Sequence, residues 1–132
     1  MARVTGIGGV FFLARTDRDA LAAWYRDHLG IDLSPWGGSV LRWPDDKAND
    51  GGLTVWHVAG PQSDWFAPST SPFMINYRVD DLDALLADLA AKGVPTHKGP
   101  ETHPNGKFAW IIDPDGNKVE LWQPWAWEGT KS

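Results

Sequence analysis

The sequence predicts an α+β fold of two βαβββ modules. Three observations support it: a segment repeated at an offset of 64 residues, apolar spacing that alternates between strand and helix periods within each copy, and a composition suited to a packed core. Asp19-Ala20-Leu21-Ala22-Ala23-Trp24 aligns with Asp83-Ala84-Leu85-Leu86-Ala87-Asp88, and the same offset carries Thr16 onto Asp80 and Asp17 onto Asp81. It also carries the apolar run 10–14 onto 74–78.

Each copy opens with an aromatic and aliphatic strand, about 8–15 and then about 73–79. Arg3 followed by the apolar run 10–14 loosely mimics a leader, but three glycines interrupt it and its counterpart is internal, so it reads as a strand. A helix follows in each copy, with Thr16 and Asp80 expected as N-caps and Asp19 and Asp83 as the carboxylates three residues on. Leu21, Trp24, Tyr25, His28 and Leu29 recur at helical spacing in the first copy, as do Leu82, Leu85, Leu86 and Leu89 in the second. Gly30 and Gly93 stand just past the last turns, where a left-handed residue ends a helix.

Three shorter strands complete each copy. They are expected near 31–35, 39–43 and 53–59, with a longer polar loop at 44–52, and near 94–98, 107–112 and 118–123. Asp113-Pro114-Asp115-Gly116-Asn117 joins the last two, because Pro presets φ and Gly or Asn accepts a positive φ. Neither copy can cover a sheet alone, so one domain is expected: module one about 6–59, a proline-rich linker about 60–72, module two about 73–123, and a tail, 124–132.

The 132 residues are 42% hydrophobic and 22% charged, with no cysteine, which excludes disulfides and thiolate metal sites and fits a cytoplasmic protein. A net charge of −5 without any Lys/Arg run argues against nucleic acid, and no apolar stretch approaches a membrane span. Nine tryptophans imply aromatic core layers or a stacking-lined cavity.

Residues 73–83 followed by 108–122 resemble the second module of the vicinal oxygen chelate superfamily of glyoxalases, bleomycin-resistance proteins and extradiol dioxygenases, and 22–30 resembles the first module's helix. The resemblance spans both copies and implies a cup-shaped mixed sheet around a ligand site. Active members hold a divalent metal through four positions, which here fall on Val10, Thr54, Met74 and Glu120. Only Glu120 is a competent ligand, so the usual metal and its chemistry are not expected.

Strand alternation sets Glu120 on one face with Lys118 and Trp122. There it could serve as a general base or bind a cationic group; a plainer reading is an ion pair with Lys118 or Arg78. By resemblance, the cavity faces add Phe12, Thr54, Trp56, Met74, Asn76 and Arg78, an apolar and aromatic set with a few polar groups. His28 suits a helix C-terminus, His57 turns away from the cavity, His97 lies on a strand, and His103 is the histidine expected to reach the pocket.

Three functions are compatible with these residues. The first is a metal-free small-molecule site for a compact, partly apolar ligand, with a cationic drug suiting the acidic balance. The second is a metal-dependent lyase, isomerase or dioxygenase using Glu120 with His103 or His57; the third is a filled-in cup with an interaction role only. The resemblance also implies a homodimer, to which aromatic surface at Trp65, Phe66, Trp125 and Trp127 would contribute.

Overall fold

The computed structural model of the chain describes residues 10–43, 55–57, 59 and 61–125. Along them run helix α1 (Arg18–Leu29), strand β1 (Ile75–Arg78), helix α2 (Leu82–Ala91), and strands β2 (Lys98–His103), β3 (Gly106–Ile112) and β4 (Lys118–Pro124). The second half therefore realises the expected strand, helix and three strands. They form one sheet in the order β1-β4-β3-β2, with β1 parallel to β4 and the other pairs antiparallel.

Both helices are capped by aspartate, one residue later than expected. Asp17 and Asp81 hold extended backbone, and each side chain accepts the amide three residues on, at 3.0 Å from Ala20 and from Ala84. Thr16 and Asp80 stand outside the helices, because the aspartates after them satisfy the orphan amides of the first turn directly. Asp19 and Asp83 keep a favourable place near the positive end of the helix dipole but pair elsewhere, with Arg18 at 2.9 Å and Lys107 at 2.6 Å. Gly30, at φ 71°, ends α1 in the left-handed conformation as expected.

Strand alternation sorts the sheet into two faces. Ala109, Ile111, Val119 and Leu121 are buried with Leu21 and Tyr25 of α1 and Leu82 and Leu89 of α2, and Tyr77 packs against this core. Gln123 fastens α2 to the sheet by accepting the Leu82 amide at 2.8 Å. The opposite face carries Asn76, Arg78, Lys118, Glu120, Trp122, Phe108 and Trp110, which the strand register sets side by side.

Two parts of the expectation differ. The strand expected near 94–98 begins at Lys98, since Pro95 has no amide to donate and Val94 packs instead against the core. In the first half, 10–14, 31–35 and 39–43 form no ladder among the described residues. The Ser34 amide bonds Gly38 O at 2.8 Å and the Gly37 amide bonds Ser34 O at 2.9 Å, so the turn between the two expected strands is present without them. Expected strand 53–59 lies partly outside the described residues, as do the loop 44–52 and Trp127.

Large apolar side chains in these first-half segments are consequently exposed, among them Phe11 (96%), Leu13, Leu41, Trp43 and Trp56. The linker and tail are not the main aromatic surface that was expected. Trp65, Phe66 and Trp125 are half-buried, and the Trp125 indole donates to Pro104 O at 3.1 Å. Among the described residues, no helix is long and apolar enough to cross a membrane.

Candidate functional site

Glu120 is 7% exposed at the middle of β4. Its register partners are Asn76 on β1 and Trp110 on β3, which bracket its two oxygens. Asn76 Nδ2 donates to Oε1 at 2.7 Å, and Trp110 Nε1 donates to Oε2 at 2.9 Å. Both donors are neutral, so the carboxylate is hydrogen-bonded without having its charge cancelled by either. The sequence suggested an ion pair with Lys118 or Arg78; the Glu120 charge does act on Lys118, and its two oxygens also accept from the amide and the indole.

An aromatic wall stands beside it. Phe108 lies parallel to Trp122 (7° between planes, centroids 5.8 Å apart) and nearly parallel to Trp110 (17°, 6.4 Å). Cations cover the indole faces: the Arg78 guanidinium lies 5.2 Å from the Trp122 ring centre, and the Lys98 and Lys118 ammoniums lie 5.0 and 5.8 Å from that of Trp110. Lys118 is 4% exposed and donates to Trp65 O at 2.6 Å. Burial, and then the like charge of Lys98, hold its pKa below the usual lysine range. The β2–β3 hairpin closes the wall, with Trp122 Nε1 donating to Asn105 O at 2.9 Å. A Cβ on Gly106 would collide with Gln123 O and the Trp122 indole, so this close approach requires glycine.

The strand register thus unites Asn76, Arg78, Glu120 and Trp122 on one face. His103 stands at its rim, half-exposed, bonded to Glu101 at 3.1 Å with its ring edge-on to Phe108 at 5.6 Å. Phe12 is elsewhere. Without a ladder to impose alternation, its ring takes the edge of Tyr25 at 5.9 Å on the helix side of the sheet. There it lines a cleft of about 280 Å³ with Arg18, Leu21, Tyr25 and Gly37. Met74 is half-buried, Val10 and Trp56 are exposed, and Thr54 lies outside the described residues.

The other histidines have structural partners. His28 stacks on Trp24 at 4.8 Å and bonds Trp24 O, His57 meets Trp65 edge-on at 5.6 Å, and the His97 amide donates to Trp110 O at 2.7 Å. Among the described residues, no group of three or more His, Asp or Glu side chains is placed to hold a metal ion.

A second polar centre was not anticipated. Asp113, 4% exposed, accepts the amides of Asp115 and Asn117 and the Asn117 side chain, each at 2.9 Å, and the Tyr25 hydroxyl at 2.7 Å. Burial raises the Tyr25 pKa, reinforced by that bond, and burial with the Asp113 charge raises Tyr77 to about 12. The turn was legible in the sequence; the tyrosine it captures 88 positions away was not. Trp110, Phe108 and Lys98 were also missed, although alternation along β3 places the first two on one face.

A fold of this kind, with the described helices on one sheet face and aromatic and charged side chains on the other, defines a class of small α+β proteins. Residues 7–121 match the Glyoxalase/Bleomycin resistance protein/Dioxygenase superfamily, and the chain belongs to it. TnmS3, an antibiotic binding protein from Streptomyces sp. CB03234, is 26% identical over 92% of this chain and 99% of its own, with a TM-score of 0.56. A glyoxalase/bleomycin resistance protein from the same organism is 38% identical over 46% of this chain and 54% of its own (TM-score 0.36). A superfamily member from Sphaerobacter thermophilus DSM 20745 is 22% identical over 81% and 88% (TM-score 0.47). No curated protein matches the chain.

Proposed function

We propose that this chain is a cytoplasmic, homodimeric small-molecule binding protein that holds a compact, partly apolar ligand against the sheet face around Glu120, without the divalent metal usual in its superfamily. The observation that carries the reading is the state of Glu120. It is buried among Trp110, Trp122 and Phe108 and aimed at two N–H donors, which is the arrangement of an anchored polar group in an aromatic site. A metal fits this donor set poorly, since Asn76 turns its amide nitrogen and not its oxygen towards Glu120, the indole offers no lone pair to a cation, and Val10 and Met74 add a hydrocarbon and a thioether. TnmS3, similar over nearly its whole length, is an antibiotic binding protein, which supports binding as the function. The exposed apolar side chains of the first half, Leu41, Trp43 and Trp56 among them, support a second copy as their cover.

Metal analysis of protein purified without chelators or a metal-affinity tag tests the reading, together with thermal-shift screening of wild type, Glu120→Gln and Trp110→Phe. The expected result is substoichiometric metal, and ligand-induced shifts that shrink in both variants. Stoichiometric Zn, Ni, Mn or Fe that is lost in Glu120→Gln would overturn it.

A further inference from the structure

The sheet face around Glu120 is closed as it stands, and the chain's own linker reaches it. Trp110 and Trp122 are each 5% exposed and Glu120 is 7% exposed, so neither the indoles nor the carboxylate present an open surface. Residues 61–73 fold as a run of short turns. The Trp65 amide donates to Ser63 Oγ, the Ala67 amide to Asp64 O, the Ser69 amide to Phe66 O, and the Ser71 and Phe73 amides to the hydroxyls of Ser69 and Ser71. All of these bonds are internal to the linker. Among the described residues, one hydrogen bond ties this run to the rest of the protein, from Lys118 Nζ to Trp65 O at 2.6 Å. The same ammonium lies 5.8 Å from the Trp110 ring centre, so it bridges the linker backbone and the aromatic wall. Asp64 on the linker and Glu120 on the sheet both attract its charge.

We propose that residues 63–69 form a strap, latched by Lys118, that holds this face shut, so that Trp110 and Glu120 become accessible only when the strap lifts. The proposal rests on the reading that a ligand binds against this face, and it names the step that admits the ligand. Lys118 is 4% exposed, and a buried ammonium without an acceptor is strongly disfavoured. The Trp65 carbonyl supplies that acceptor, so each partner of the bond holds the other in place. The turns of the linker are local and can persist when it lifts. Release therefore costs this one charge-assisted bond and the exposure of two half-buried rings, Trp65 and Phe66, while the ladder of the sheet stays intact. An opening of that size is smaller than unfolding, which is what a gate requires.

Hydrogen exchange on the full chain tests the latch with no ligand present, so its result is separate from that of the thermal-shift screen, which judges whether this face binds. Peptides covering 61–73 are followed by mass spectrometry and the Trp110 indole N–H by NMR, in wild type, Lys118→Met and Lys98→Met, each scaled to the core amides of β3 and β4. In wild type the indole N–H, bonded to Glu120, should exchange about ten-fold or more faster than those core amides. Lys118→Met keeps the apolar stem and removes the donor, leaving Trp65 O unpaired. It should speed linker and indole exchange together by about ten-fold or more, as the loss of one charge-assisted bond gives. Lys98→Met removes a cation over the same ring that makes no bond to the linker, and it should change neither. Faster exchange in the linker alone, or in neither, overturns the proposal, as does an equal effect of Lys98→Met. If Lys118→Met does not fold, the wild-type comparison decides: an indole N–H that exchanges no faster than the core amides overturns the strap.

Discussion

Replacing Asp113 by alanine should be among the most damaging single changes in this protein. The carboxylate is 4% exposed and accepts four hydrogen bonds, three inside its own turn and one from the Tyr25 hydroxyl at 2.7 Å. Removing it orphans a buried phenol, whose desolvation costs about 1–3 kcal/mol, and it also frees the donors that shape the turn. The expected loss is ~3–5 kcal/mol, a large part of the roughly 5–15 kcal/mol that holds a domain together. Tyr25→Phe removes only the shared bond, one to a charged acceptor, and should cost ~1.5–3 kcal/mol. The double variant should then lose less than the sum by about 1–2 kcal/mol, since the bond can be lost once. Urea unfolding followed by tryptophan fluorescence measures all four corners of the cycle. A loss below ~1 kcal/mol for Asp113→Ala, or strict additivity of the pair, would refute the claim that this bond ties the first half to the second.

The chain has two tyrosines, Tyr25 and Tyr77, so phenolate absorbance reports on the core directly. Their folded pKa values are raised, so the stability they contribute is complete below the ordinary value of 10.0 and is lost as pH climbs through the folded value, about 12 for Tyr77. A spectrophotometric titration should show little phenolate at pH 10.5 and a cooperative rise with unfolding above it; a simple transition near pH 10 would sink this reading. Gly106→Ala should cost ~2 kcal/mol or more because its Cβ meets Gln123 O and the Trp122 indole, whereas Gly116→Ala, in open space at φ 81°, should cost only ~1 kcal/mol. Comparing their urea midpoints tests this. Asp17→Ala and Asp81→Ala should each cost ~1 kcal/mol, while Thr16→Ala and Asp80→Ala stay within a few tenths; helix content against temperature distinguishes the two sets, and the reverse ranking would move the caps back to Thr16 and Asp80.

Much of the second half was legible because its signals are local. Asp-Pro-Asp-Gly-Asn requires a turn, the leucines of α2 recur at 3.6-residue spacing, and Gly93 ends that helix region at φ 84°. The cap position slipped by one residue because Thr16-Asp17 and Asp80-Asp81 each offer two adjacent side chains able to cap, and only backbone geometry chooses between them. Phe12 was misplaced for a different reason: alternation assigns a face only once a ladder exists, and 10–14 has none among the described residues.

By itself, the sequence determined the repeat, the helices and turns, the superfamily, and the placing of Glu120 with Lys118 and Trp122 on one strand face. These follow from periodicity and dihedral preference, which act between residues a few positions apart. Only the tertiary structure decided what surrounds that carboxylate. Asn76 lies 44 positions from Glu120 and Trp110 lies 10 away across a hairpin, and the register that brings them to its two oxygens is set by packing on the opposite face of the sheet. The cations over the indoles depend on the same register, so the charges gathered on this face could not be read from composition.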